Sequence, residues 1–198
     1  MYMEHAPKLG CVLMAAGNAR RFGENKLSAP LDGRSLILRA LEAVPSEKFE
    51  RVVVVTQYPE IMRLAGEFHF AAIHNDAPEE GISRTIALGL TALRDCDGVL
   101  FQVSDQPLLR RESIAHLADC WRHRPDKLMA LGHGGVRGNP CVFPARFFPE
   151  LLELQGDHGG NTVIRRHEED LLLVEVPEAE LTDVDTPEAL RALATAEQ

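Results

Sequence analysis

Cysteine is scarce, and its placement excludes most cysteine chemistry. The four cysteines fall at positions 11, 96, 120 and 141, with no C-x-x-C pair and none of the Cys/His spacings of a zinc site. Neither a metal ribbon nor a disulfide framework is indicated, so the thiols read as reduced and mostly buried. No apolar run approaches the length needed to span a bilayer. The opening residues MYMEHAPKLG lack the charged and apolar regions of a signal peptide. The expectation is a soluble, cytoplasmic protein with no membrane partner. Basic residues are also short, 21 Lys and Arg against 30 Asp and Glu for a net charge of −9. A broad basic surface of the kind that neutralises a nucleic-acid backbone is therefore excluded. A single nucleoside triphosphate is different, because a local cluster of cations meets its charge. There is no repeat, low-complexity tract or long linker, and 198 residues suit one domain spanning 1–198.

The most informative stretch is CVLMAAGNARRFGENKL, Cys11 to Leu27. Cys11 to Ala15 is apolar without alternation, which predicts a strand covered on both faces. The chain then breaks into Gly17, Arg20, Arg21, Gly23 and Lys26, a glycine turn followed by donors for phosphate oxygens. It is not a P-loop, since Gly23 follows Gly17 by six positions and is followed by Glu24 rather than Lys. Nor is it a dinucleotide fingerprint, because Ala19 stands where the second glycine belongs.

Apolar runs predict strands at 10–15, 51–56, 71–74, 99–103, 128–131, 141–143 and 171–176, and helical periodicity predicts helices at 35–43, 59–68, 82–93, 111–122, 145–152, 161–167 and 186–194. This alternation predicts an α/β fold, a three-layer α/β/α sandwich around a Rossmann-like, largely parallel sheet. Thr186 and Pro187 form a good start for the last helix. Gly132–Gly138, with four glycines in seven residues, reads as the most flexible loop. In such sheets ligands bind beyond the carboxyl ends of the strands. Asp105 follows the run at 99–103 and is the first candidate for a metal ligand there, its alternative being a turn former. Asp183 and Asp185 are two residues apart, so an extended chain points both the same way; Asp185 is the preferred second carboxylate, with a role in starting the last helix as the alternative. Ser83 and Thr85 open a predicted helix, where they hold base or ribose groups or cap its N-terminus.

AAGNARRFGENKL resembles the LAAGxSxRMGxxKL signature of the molybdenum-cofactor nucleotidyltransferases, a group related to sugar-nucleotide and methylerythritol cytidylyltransferases. NDAPEEGISRTIALGL, VSDQPLL, GNPCVFP, GDHG and DVDTPEAL are similar to its later blocks, in order. The departures are Ala19, Asp76, Arg84 and Asn139, which stand where Ser or Gly, Pro, a small residue and His are usual. The resemblance implies a nucleotide-diphospho-sugar transferase fold and transfer of CMP from CTP to the phosphate of molybdopterin, with release of pyrophosphate. It implies a Mg²⁺ requirement, with Mn²⁺ as a substitute, held by Asp105 and Asp185. Lys26, Arg21 and Asp105 take the catalytic roles, Arg21 being preferred to Arg20 on alignment. The nucleotide lies on Ala15, Ala16, Gly17, Asn18, Ala19, Arg21, Lys26, Asn75, Gly81, Ser83 and Thr85. The acceptor lies on Gly138, Asn139, Pro140, Asp157 and His158. CTP is favoured because Ala16 stands where guanylyl relatives carry a second glycine. Guanylyl transfer, cytidylyl or uridylyl transfer to a sugar or polyol phosphate, and non-catalytic delivery of the cofactor to a molybdenum hydroxylase are the alternatives.

Overall fold

The computed structural model describes residues 6–17 and 25–196. Asn18, Ala19, Arg20, Arg21 and Gly23 lie outside the described residues. β1 (Leu9–Ala15) is buried along nearly its whole length, as its unbroken apolar run requires. β4 (Val52–Thr56) and β5 (Ala71–His74) follow on one side of it and β6 (Gly98–Val103) lies on the other. With β7 (Leu128–His133), β8 (Val136–Pro144) and β9 (Leu171–Glu175) they form a seven-stranded sheet in the order β5-β4-β1-β6-β8-β7-β9. All neighbours are parallel except β8, which runs antiparallel to both β6 and β7. A small two-stranded pair, β2 (Pro30–Leu31) with β3 (Arg34–Ser35), stands apart from the sheet.

Alternate residues of β1 feed two layers. Val12 joins a cluster with Ile86, Leu90, Phe148 and Val163, contributed by α3 (Ile82–Ala92), α5 (Phe148–Leu152) and α6 (Gly160–Arg166). Leu13 packs on the other face with Ile37 and Ile61, from α1 (Leu36–Glu42) and α2 (Pro59–Glu67), and Cys11 packs there with Leu117 and Trp121 of α4 (Arg111–His123). The result is the three-layer sandwich with a mostly parallel sheet. α7 (Pro187–Ala196) begins with Thr186 Oγ1 accepting from Ala189 N at 3.2 Å, the predicted N-cap.

Gly132–Gly138 is not a flexible loop but the tip of the β7–β8 hairpin, with His133 paired to Val136. Gly134 and Gly135 have φ of 56° and 81°. Two successive positive φ values are what a two-residue hairpin turn between twisted strands demands, and glycine adopts them without strain. The predicted helix at 145–152 divides into a 3-10 turn, Ala145–Phe147, followed by α5. Cys11, Cys96 and Cys141 are buried and all four thiols are free. Among the described residues no helix is long and apolar enough to cross a membrane.

Candidate active site

The chain leaves β1 in one direction toward β4 and β5, then returns to place β6 on β1's other flank. The carboxyl ends of β1 and β6 therefore border the point where strand order reverses, the usual crevice for a ligand in an open α/β sheet. Ser104 Oγ donates to Met14 O at 2.8 Å and ties the two strand ends together. The loop after β1 is pinned from its other flank. The carbonyls of Ala15, Ala16 and Gly17 accept from Thr56 Oγ1 at 2.8 Å, Gln57 Nε2 at 2.8 Å and Tyr58 OH at 3.1 Å. Three successive residues at the end of β4 thus hold three successive residues at the end of β1. These supports are absent from the sequence reading, although polar tips directly after the apolar run VVVV are a signal for them.

Lys26 opens a 3-10 turn whose N-cap, Asn25, accepts from Leu27 N at 3.1 Å. Leu27 is buried among Ile37, Leu41 and Val54, so the turn is anchored in the core and its lysine points to the sheet edge. There Lys26 Nζ donates to Asp105 Oδ2 at 2.8 Å, Val184 O at 3.1 Å and Asp185 Oδ1 at 3.2 Å. Partial burial works to lower the lysine's pKa, but the charge of Asp105 and the hydrogen bonds to both carboxylates outweigh it and hold the pKa above the ordinary lysine range. The segment carrying Asp183 and Asp185 is docked by Val184 N donating to Asp105 O at 2.8 Å and Gln106 Nε2 donating to Leu181 O at 3.3 Å. Asp183 has its pKa raised, first by desolvation, then by repulsion from Asp105 and Asp185, against a hydrogen bond from Gln106. Asp185 is the member of the pair that meets Lys26, at 3.2 Å.

Asn75, Gly81, Ser83 and Thr85 converge on the start of α3. Asn75 is buried and donates through Nδ2 to Thr85 Oγ1 at 3.2 Å, while its Oδ1 accepts from Ala77 N at 3.1 Å. Neither Ser83 nor Thr85 caps the helix. Gly81 occupies that position with φ 86°, and Ser83 Oγ instead meets Glu80 O at 3.5 Å. Two departures from the family pattern answer one another here, since Arg84 Nη2 lies 2.9 Å from Asp76 Oδ1. Asp76's pKa is lowered chiefly by that hydrogen bond.

The Gly156–Gly159 turn adjoins this helix start. Ser83 N donates to Gly156 O at 3.1 Å, and a Cβ at Gly81 would lie 2.4 Å from Gly156 C and 2.7 Å from Asp157 Oδ1. Asp157 and His158 are exposed on that turn. Gly138, Asn139 and Pro140 lie in β8 rather than in a loop, with the Asn139–Pro140 peptide cis. A Cβ at Gly138 would come within 2.9 Å of Leu181, which places this strand against the segment leading to Asp183. Of the residues assigned to the site, Lys26, Asp105 and Asp185 meet directly, Asn75, Gly81, Ser83 and Thr85 surround one helix start, and Asp157 joins them through Gly81.

Residues 11–171 match the MobA-like NTP transferase domain. The chain belongs to that family. Within it, the chain is 28% identical over 197 residues to the purine catabolism protein PucB of Bacillus subtilis, covering 92% of this chain and 94% of that protein. It is 29% identical over 145 residues to a probable molybdenum cofactor guanylyltransferase of the same organism, covering 72% and 70%. In fold it is similar to a nucleotidyl transferase from Methanothermobacter, with a TM-score of 0.79, 21% identity, and coverage of 96% of this chain and 97% of that one. The MobA-like assignment makes this a nucleotidyltransferase, and the crevice between β1 and β6 is its candidate active site.

Proposed function

We propose that the protein transfers CMP from CTP to the phosphate of a molybdopterin-type acceptor, releasing pyrophosphate, with Mg²⁺ as cofactor and Mn²⁺ as a substitute. The observation that carries the reading is the ammonium of Lys26 held between Asp105 and Asp185 beside the loop after β1. The donor set fits a divalent cation: two hard carboxylates already converge on one positive atom, and a third, Asp183, feels repulsion from both. Asp105 and Asp185 would hold that cation, which supplies charge neutralisation on the phosphates. Lys26, raised in pKa and so fully protonated near neutral pH, stabilises the charge that develops on the α-phosphate. Arg21 meets the departing phosphates. No protein nucleophile is required, because the acceptor phosphate attacks directly and the residues align it.

The base-side wall of Asn75, Gly81, Ser83 and Thr85 holds the nucleoside. The proposed preference for CTP rests on Ala16, a buried residue whose carbonyl accepts from Gln57 and which stands where guanylyl relatives carry a second glycine. A guanylyltransferase among the relatives is the specific observation in favour of GTP. The consumer of the product is proposed to be a molybdenum hydroxylase, in keeping with the purine catabolism in the name of the relative matched over most of both chains. The test is pyrophosphate release with each of the four common nucleoside triphosphates, with molybdopterin and a panel of sugar and polyol phosphates, with and without Mg²⁺. Turnover with CTP and molybdopterin that stops on chelation is the expected result. Turnover with GTP, or only with a sugar phosphate, replaces the substrate assignment. Tight binding without pyrophosphate release identifies a carrier.

A further inference from the structure

Among the described residues, most partly buried arginines are neutralised by a carboxylate. Arg39 pairs with Asp32, Arg84 with Asp76 and Arg122 with Asp119. Arg137 is the exception among the described residues: it is partly buried, and all of its partners are neutral. Its Nη2 donates to Asn161 Oδ1 at 2.6 Å, and its Nη1 lies 3.4 Å from Cys141 Sγ and 3.5 Å from Gly138 O. In a chain with an excess of nine negative charges, a guanidinium withheld from every carboxylate is a position kept for an anion that the protein does not itself provide.

Its place in the fold says which anion. β8 runs antiparallel to β6, so its first residues, Val136 to Gly138, extend beyond the end at which β6 delivers Asp105. Gly138 abuts Leu181, whose carbonyl is held by Gln106, next to Asp105. On its other side Arg137 is tied to Asn161, in the first turn of α6, just after the Gly156–Gly159 turn that packs on Gly81. Arg137 therefore stands on the acceptor side of the crevice, across β6 from the β1 loop and Lys26.

We propose that Arg137, oriented by Asn161, binds the phosphate monoester of the acceptor and is a specificity-determining residue for the transfer. The proposal rests on the reading of the acceptor as a phosphate. A guanidinium carries five N–H donors; Asn161 engages Nη2, Cys141 and Gly138 lie on Nη1, and the donors left over suit phosphate oxygens. Asn161 is a positioning residue, because its amide oxygen accepts from Arg137 and carries no charge for the ligand.

The test measures binding of molybdopterin and of its dephosphorylated form to the wild type and to Arg137→Ala, Arg137→Lys and Asn161→Ala proteins, with folding checked by circular dichroism. Loss of a charged hydrogen-bonding partner predicts roughly 10- to 100-fold weaker binding of molybdopterin to Arg137→Ala. The dephosphorylated form should bind the wild type and Arg137→Ala alike, Arg137→Lys should recover part of the loss, and KM for CTP should stay unchanged. An undiminished preference of Arg137→Ala for the phosphorylated form overturns the proposal, and so does a matching rise in KM for CTP, which would assign Arg137 to the donor. Should the wild type bind neither pterin, the acceptor identity fails on its own. Arg137 is then decided by inorganic phosphate, titrated by ³¹P NMR against wild type and Arg137→Ala, where equal affinities overturn it. If Arg137→Ala does not fold, Arg137→Lys and Arg137→Gln provide the same comparison.

Discussion

Replacing Gly81 by alanine should separate the Gly156–Asp157 turn from the helix that bears Ser83 and Thr85. Two costs combine at this position. Gly81 has φ 86° and ψ −170°, a region essentially reserved for glycine, and a side chain there costs on the order of 1–3 kcal/mol. The new methyl would also stand 2.4 Å from Gly156 C and 2.5 Å from Gly156 O, where ordinary contact begins at 3.4 Å, so the Gly156 backbone must retreat by about 1 Å. Retreat stretches the 3.1 Å hydrogen bond from Ser83 N to Gly156 O, worth about 1 kcal/mol. The sum is a destabilisation of roughly 2–4 kcal/mol, which a domain of ordinary stability survives. Gly135→Ala is the control for a positive φ without a clash, because its φ is 81° and nothing lies within 4 Å of its Cβ. Urea unfolding of both variants isolates the contact. Gly81→Ala should be the less stable by at least about 1 kcal/mol, and should lose turnover even under conditions where both variants are folded. Equal stabilities with intact turnover would refute the claim that contact between Gly81 and the Gly156–Asp157 turn holds the two sides of the site together.

Lys26→Ala should lower turnover of the folded protein by about 10²–10³-fold, the usual effect of removing one preorganised transition-state donor; near-normal turnover removes Lys26 from the mechanism. Asp105→Asn keeps the carboxylate's shape without its charge, so calorimetry should find weaker Mg²⁺-nucleotide binding and an intact fold, and unchanged affinity would dismiss Asp105 as a ligand. Competition between CTP and GTP should favour CTP in the wild type, and Ala16→Gly should narrow the ratio by roughly 10- to 200-fold at most, the worth of one methylene in a discriminating pocket. The carboxyl of Asp76, followed by NMR, should titrate below its ordinary value of 3.8, and Arg84→Gln should move it back up. The sign follows from linkage: a lowered pKa contributes stability above the unfolded value, and that contribution is lost as pH falls through the folded one.

The sheet was legible because its strands are short apolar runs between turn signals, and buried parallel strands announce themselves in that way. The run at 10–15 became Leu9–Ala15 and the Thr186–Pro187 start became a capped helix, since strand burial and helix capping depend on neighbouring residues alone. The direction of β8 was not legible, because an apolar run reads the same parallel or antiparallel; the glycines of 132–138 read alone as a flexible loop, and only the pairing of β7 with β8 makes Gly134–Gly135 a tight turn. At the site, the sequence by itself determined which residues carry charge and where the chain must turn: Lys26, Asp105 and Asp185 are recognisable from their types and motifs. Tertiary structure alone decided that these three meet, that Thr56, Gln57 and Tyr58 hold the loop after β1, that Asp76 and Arg84 compensate each other, and that Arg137 keeps only neutral partners. The physical reason is that local pattern encodes backbone conformation and burial. Electrostatic pairing depends on distances of a few ångströms between residues up to 159 positions apart, and only the packed sheet brings them within reach.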